Sequence, residues 1–365
     1  MFSKARLLKT FVLLMTLVYG AASYAELHTW FGGHIRVNSD YRDWVESQQT
    51  RVEFESIKLT GSLSWDSGDT FNFDARYYDN LQINILRYAE YIRKLDEVSQ
   101  LSIGITRVPF GLQNYLSDSF WYSINYYLGL EDDFDLGAVY HHTNERHSWK
   151  VGAFITDELA DASEFARYSF DVAKVAGSEF KENGQLNFYY QYSPQWFQQQ
   201  SKLGFSLQVG QIQNRNAGNS RHWAWSAFYR QPYEQWQTTI QYSQYRYDIE
   251  AQQVVFSAFD YPFPIAKKAH SVVLNQAYRF SNLPQFIDTA LIYTEVGIVD
   301  SSEPGTEKSL QWVLGSNIIA GNFVFYLDYI HGENMWFSGG NGVGVYFPDD
   351  IGSAARINFS TAYHF

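Results

Sequence analysis

The chain ends on "RINFSTAYHF", residues 356–365. Ile357, Phe359, Thr361, Tyr363 and Phe365 share one phase of period two; Arg356, Asn358, Ser360, Ala362 and His364 share the other. Such alternation predicts a β-strand with one apolar and one polar face. The final residues of a soluble domain usually fray. Here the last residue is a large ring in step with the strand, so something must hold it.

The opposite end supplies the context. Residues 1–25 carry Lys4, Arg6 and Lys9, then an apolar stretch over 11–19, then Ser23-Tyr24-Ala25. This order predicts a secretory signal peptide, leaving 26–365 as the mature domain. An apolar run of about ten residues is too short to span a bilayer as a helix, and no other run approaches the ~18 required. The chain has no cysteine, so no disulfide would brace it in an oxidising compartment. Loss of three of the 27 Lys+Arg would leave 24 against 39 Asp+Glu, a mature chain acidic by about fifteen charges.

Aromatic residues make up 18% of the chain, with 28 Tyr, 28 Phe and 11 Trp, while mean hydropathy is slightly polar. A large soluble β-sandwich fits this composition. So does a transmembrane barrel, whose lipid-facing apolar residues alternate with lumen-facing polar ones and whose rims carry aromatic girdles.

Strand-like segments recur at 27–37, 52–65, 71–78, 85–92, 101–108, 136–143, 149–156 and 186–192. They continue at 203–211, 223–230, 236–247, 271–280, 286–299, 310–319, 323–331 and 355–365, making sixteen. Leu203, Phe205, Leu207 and Val209 oppose Gly204, Ser206, Gln208 and Gly210, a wet face rather than a packed one. Short turns such as 66–69 alternate with longer connections at 38–51, 109–135, 157–185, 212–222, 248–270, 300–309 and 332–354; 79–84 is short where a long one is due. The expectation is an all-β, transmembrane antiparallel β-barrel of 16 strands with long external loops, one of them folded into the lumen. An even count puts both termini at the short-turn, periplasmic rim. The last strand then pairs with the first, which leaves no edge in lipid. The terminal Phe365, with Phe359 and Tyr363 in phase, also resembles the assembly signal that the barrel-insertion machinery reads in bacterial outer-membrane barrels.

Residues 101–140 carry Gly104, Pro109, Phe110 and Gly111 at a strand end, then an aromatic stretch. An acidic run follows: Gly129, Leu130, Glu131, Asp132, Asp133, Asp135, Leu136 and Gly137. This resembles the phosphate-selective porin O/P family and related Gram-negative porins. The resemblance implies a sixteen-stranded homotrimeric pore in the outer membrane, exported through the periplasm, with its third external loop inside the lumen. It further implies outer-membrane lipid, lipopolysaccharide and small hydrophilic solutes or ions as partners. No cofactor and no nucleic acid is expected. The acidic balance departs from the phosphate-selective members, so phosphate selectivity is not expected here.

Along such a pore, Asp118, Glu131, Asp132, Asp133 and Asp135 are the candidate constriction acids. The basic candidates opposite them are Arg36, Lys58, Arg76, Arg279 and Arg356, which lie in polar strand phases, with Arg87 and Arg107 in less regular surroundings. Facing charges of opposite sign orient solutes and filter ions; this mixed set predicts weak charge preference. The alternative is that the acids form a solvated loop and the basic residues pair locally. Glu131–Asp135 could also gather carboxylates around Ca²⁺, but it lacks the EF-hand spacing, and no metal is assigned. His141 and His142 point to opposite faces of one strand and cannot share an ion. Trp121, Tyr122, Tyr126 and Tyr127 suit either an aromatic slide for sugar rings inside the pore or an interfacial or loop-packing role. No Gly-x-Ser-x-Gly, His-Glu-x-x-His or phosphate-binding glycine loop is present, so an enzyme is not expected. The rival function is a binding or adhesion barrel without an open pore.

Overall fold

The structure, a computed structural model, describes residues 27–365 except 48, 160, 215–217, 302 and 349–350. The expected signal peptide over 1–25 lies outside the described residues. Sixteen strands form one closed antiparallel barrel. In chain order they are β1 Leu27–Arg42, β2 Thr50–Trp65, β3 Thr70–Tyr78, β4 Ile83–Lys94, β5 Ser99–Arg107, β6 Phe134–Thr143, β7 His147–Asp157 and β8 Phe180–Tyr192. The second half comprises β9 Lys202–Asn214, β10 Gly218–Tyr233, β11 Trp236–Tyr247, β12 Lys268–Arg279, β13 Thr289–Asp300, β14 Ser309–Ala320, β15 Phe323–Glu333 and β16 Ser353–His364. Every segment expected from alternation is one of these strands.

Two expected long loops are instead strand. β1 and β2 continue pairing through Asn38↔Glu53 and Asp40↔Arg51, which leaves only 43–49 between them. β9 and β10 pair through Gln213↔Asn219. The reason is physical: apolar alternation stops where the lipid stops, but the backbone ladder needs no apolar side chains and runs on into water.

The barrel closes where the chain ends. β16 pairs with β1 from His34↔His364 to Arg42↔Arg356. The Gly33 N–H donates to the Phe365 carbonyl (3.0 Å), and the Phe365 N–H donates to the Gly33 carbonyl (3.2 Å). A Cβ on residue 33 would run into the Lys58 carbonyl, so this close approach of backbones requires glycine.

The outer face is apolar throughout the middle of the barrel. Leu203, Phe205, Leu207 and Val209 are 42–53% exposed, whereas Ser206 and Gln208 between them are buried. A large apolar side chain left in water forgoes about 1.5–3 kcal/mol. A belt of dozens of them is stable only in hydrocarbon. At the short-turn end Trp236, Phe323, Tyr363 and Phe365 are exposed, and the Phe323 and Tyr363 rings meet at 5.1 Å. This is the interfacial girdle of a membrane barrel.

The long connections, 108–133, 158–179, 248–267 and 334–352, all leave the same end. Three are tied together. Gln253–Ala258 pairs with Tyr261–Ala266 on one side and with Asp171–Val172 on the other, and Ile265 bridges Val343. From sequence these stretches are expected only as loops; the structure shows a local hairpin, Gln253–Ala258 with Tyr261–Ala266, to which the two other loops attach through Asp171–Val172 and Val343.

Phe365→Asp should lower the amount of folded, membrane-inserted barrel several-fold in heat-modifiability gels. It should change the stability of barrel already inserted by only about 0–1 kcal/mol, since the site is at the rim. Normal insertion of this variant would remove the assembly role of Phe365.

Candidate functional site

Residues 108–133 leave β5 and turn inward. The Gly111 N–H donates to Ser206 Oγ on β9 (2.9 Å), and the Leu112 N–H donates to Gln241 Oε1 on β11 (2.8 Å). Arg230 on β10 donates to the Tyr115 carbonyl (2.6 Å). The Ser271 hydroxyl on β12 donates to Asn125 Oδ1 (2.6 Å), and Gln311 Nε2 on β14 donates to the Tyr122 carbonyl (2.9 Å). The Phe120 N–H donates to Asp328 on β15 (3.3 Å). A segment rooted between β5 and β6 can reach β9 to β15 only across the interior, so it fills part of the lumen. Its turn at Tyr126–Leu128 ends on Gly129 at φ 66°, where a Cβ would meet the Phe170 carbonyl.

The acidic run mostly builds this loop instead of facing the channel. Glu131 Oε1 accepts the N–H groups of Leu116 (2.9 Å) and Ser117 (3.3 Å); Oε2 accepts the N–H (3.2 Å) and hydroxyl (2.5 Å) of Ser123. Burial raises its carboxyl above the usual range. Asp132 accepts from Arg87 (2.5 Å) and the Tyr168 hydroxyl (2.6 Å) and pairs with Arg107 at 2.8 Å. Burial alone would raise its pKa, but Arg87 and Arg107 outweigh it and hold the carboxyl below the ordinary range. Asp133 and Asp135 lie together with Asp171, away from the channel. Only Asp118 of the five expected acids lines the cavity. The reason is that buried loop amides and arginines need anionic partners, and this run supplies them.

The basic candidates divide differently. Arg36, Lys58, Arg76, Arg87 and Arg356 line a single cavity of about 860 Å³. Arg107 does not; it turns to Asp132 at the strand end. Arg279 does not either; it is exposed at the short-turn rim. The β3–β4 register slips between Asp74 and Ala75, leaving Arg87 without a partner across the ladder. This bulge re-aims the side chain inward and explains the blurred alternation around it. Arg42, Arg51, Lys202 and Arg230 also line the cavity and were not among the candidates. Lys202 and Arg230 pair across β9 and β10 and sit in the inward phases of those strands, so the alternation rule itself points to them.

The cavity therefore has nine basic side chains against three carboxylates, Glu53, Glu55 and Asp118, an excess of six. Asp40, Asp74 and Asp132 pair with these arginines from behind and reduce the excess to three. Arg76 meets Asp74 through two 2.8 Å hydrogen bonds. Lys58, Lys202 and Arg230 have no carboxylate within ion-pair distance among the described residues. Arg36 lies 4.9 Å over Phe120 and Arg356 lies 4.3 Å over Trp121, contacts worth about 0.5–2 kcal/mol each. They hold the loop tip against the β1 and β16 wall.

The aromatic candidates pack within the loop and also line the cavity. Tyr127 stacks on Phe337 at 4.7 Å and Trp121 on Phe337 at 6.2 Å, while Trp121, Tyr122, Tyr126 and Tyr127 all line the cavity. His141 bonds Ser148 and His142 bonds Ser99, so the two rings part.

No protein family and no curated protein matches the sequence. Among solved structures, the chain is similar to the outer-membrane channel DcaP of Acinetobacter baumannii. The TM-score is 0.63 at 10% identity, covering 93% of this chain and 97% of that one. OmpT, an outer membrane protein of Vibrio cholerae, matches as its loop L8 deletion mutant with TM-score 0.60 at 11% identity, covering 93% and 99%. The anion-selective porin from Comamonas acidovorans matches with TM-score 0.56 at 11% identity, covering 93% and 100%. The chain thus has the porin-type barrel fold; membership of the O/P family is not carried by these likenesses.

Glu131→Ala removes the acceptor of four loop hydrogen bonds, each worth about 0.5–1.5 kcal/mol. Amide exchange at Leu116, Ser117 and Ser123 should accelerate by at least about tenfold while the strand amides stay protected. Unchanged exchange at these three amides would show that Glu131 does not hold the loop.

Proposed function

We propose that the protein is a non-catalytic outer-membrane porin of a Gram-negative bacterium. It is exported through the periplasm and passes small hydrophilic solutes, with preference for anions. The observation that carries this reading is the cavity. It is lined at the long-loop end by Arg42 and Trp44 and at the short-turn end by Ile319, Val324 and His364, so it runs along the barrel's height. Its lining holds an excess of positive charge.

The loop of 108–133 packs its apolar residues against the β11 to β15 side, where Val273, Tyr293, Val313 and Ile330 are buried. The free passage runs past β1 to β4, the wall bearing Arg36, Lys58, Arg76 and Arg87, and is also lined by Lys202 on β9 and Arg230 on β10. Charge at a narrow, weakly screened section decides selectivity more than net charge does. On this reading the acidic balance of the chain is a poor guide, and a basic constriction is proposed in place of the mixed one expected from sequence. Barrels of this fold include one described in a trimer form, and a homotrimer embedded in lipid and lipopolysaccharide is part of this proposal.

Purified protein in planar bilayers should give discrete ion steps, with a reversal potential in a KCl gradient of the sign set by chloride. Combining Lys58→Glu, Lys202→Glu and Arg230→Glu should move that potential towards potassium. Cation preference in the unaltered protein would refute the basic constriction. Absence of steps would refute the pore and favour a binding barrel.

A further inference from the structure

Behind the pore-facing loop lies a group of carboxylates that conduction does not use. Asp133 ends the 108–133 segment, Asp135 is the second residue of β6, and Asp171 belongs to the small loop sheet. One oxygen from each lies within 4.8 Å of the other two. The three residues are only 7%, 1% and 4% exposed. Asp133 Oδ1, Asp135 Oδ1 and Asp171 Oδ2 are buried without a hydrogen-bond partner, and so is Oε2 of Glu158.

Charge makes this arrangement costly as it stands. Asp135 faces Asp157 directly across the ladder. Glu158 Oε1 is committed to the N–H groups of Tyr168 and Ser169. The cation at hand is Arg167, whose Nη1 lies 2.7 Å from Asp157 and 4.0 Å from Asp171. Glu182 is buried beside them as well; with Arg167 committed to Asp157, the charge on Asp133, Asp135 and Asp171 stays uncompensated, which is strongly destabilising.

We propose that Asp133, Asp135 and Asp171 bind a Ca²⁺ ion that ties the pore loop to the barrel wall and to the 158–179 loop. The donors are all oxygens, with no His or Cys, which selects a hard cation. Three carboxylate oxygens within 4.8 Å of one another can share one ion, and Ca²⁺ accepts such a cage of protein oxygens, whereas Mg²⁺ usually keeps several of its waters. The ion would fix Asp171 two residues from Ser169, which donates to the Phe134 carbonyl (3.2 Å) and accepts from the Phe134 N–H (2.9 Å). It would also fix Tyr168, the residue that donates to Asp132. Site and pore loop are thus joined through short contacts, yet binding can be measured without reference to conduction.

The test is equilibrium dialysis of the full barrel, stripped with EGTA and titrated with radiolabelled CaCl₂ in excess KCl. The expected result is one ion per chain that equal MgCl₂ does not displace. Asp133→Asn combined with Asp171→Asn should weaken it by at least about tenfold. Glu97→Gln, on an exposed turn, should leave it unchanged. No calcium uptake by the stripped protein, or equal uptake by the double variant, would overturn the proposal. If the double variant does not fold, amide exchange of 168–172 in the unaltered barrel decides. Slowing by about tenfold or more on adding CaCl₂ supports the site; equal exchange with and without calcium overturns it.

Discussion

A strand edge inside hydrocarbon has no water to bond, and that constraint organises the whole chain. Each unpaired backbone group there costs several kcal/mol. The sixteenth strand must therefore meet the first, down to the reciprocal bonds between Gly33 and Phe365. Closure with sixteen strands leaves a lumen too wide for side chains alone to fill. The 108–133 segment occupies the surplus space, and where it rests sets the shape and charge of the passage.

The segment divides the interior by chemistry. On the side of β11 to β15 it presents apolar residues such as Leu116 and Ile124, both buried, to strands whose inward phase is itself partly apolar. On the side of β1 to β4 it leaves a wall of arginine and lysine. The acids stand between, bonding the loop's own amides through Glu131 and gripping Arg87 and Arg107 through Asp132. Anionic sequence thus produces a cationic passage, because the carboxylates are consumed in holding the loop.

The barrel was legible because a membrane strand advertises itself twice, by alternation and by an apolar phase that must face lipid. Residues 356–365 alone predict the closing strand, and the structure pairs them with β1. The hairpins beyond the lipid were less legible, since Asn38↔Glu53 and Gln213↔Asn219 pair through backbone without any apolar signature. The destinations of the acids were not legible at all. A run such as Glu131 to Asp135 reads the same whether it faces water, caps buried amides or gathers around a cation. Its partners are Leu116, Ser123, Arg87 and Asp171, and only the tertiary fold brings these to it. Arg87 was obscured for a local reason, the bulge that displaces it from the strand's phase.

The central claim is that the 108–133 segment crosses the lumen to the far wall. The chain has no cysteine, so a pair can be introduced without background. Asn125→Cys with Ser271→Cys places one thiol on the loop and the other on β12, at positions whose side chains meet at 2.6 Å. Rapid disulfide formation on mild oxidation of the folded barrel, with conductance unchanged, is the predicted result. Free thiols that persist in folded barrel, both open to bulky water-soluble reagents, would place the segment outside the lumen and contradict the account.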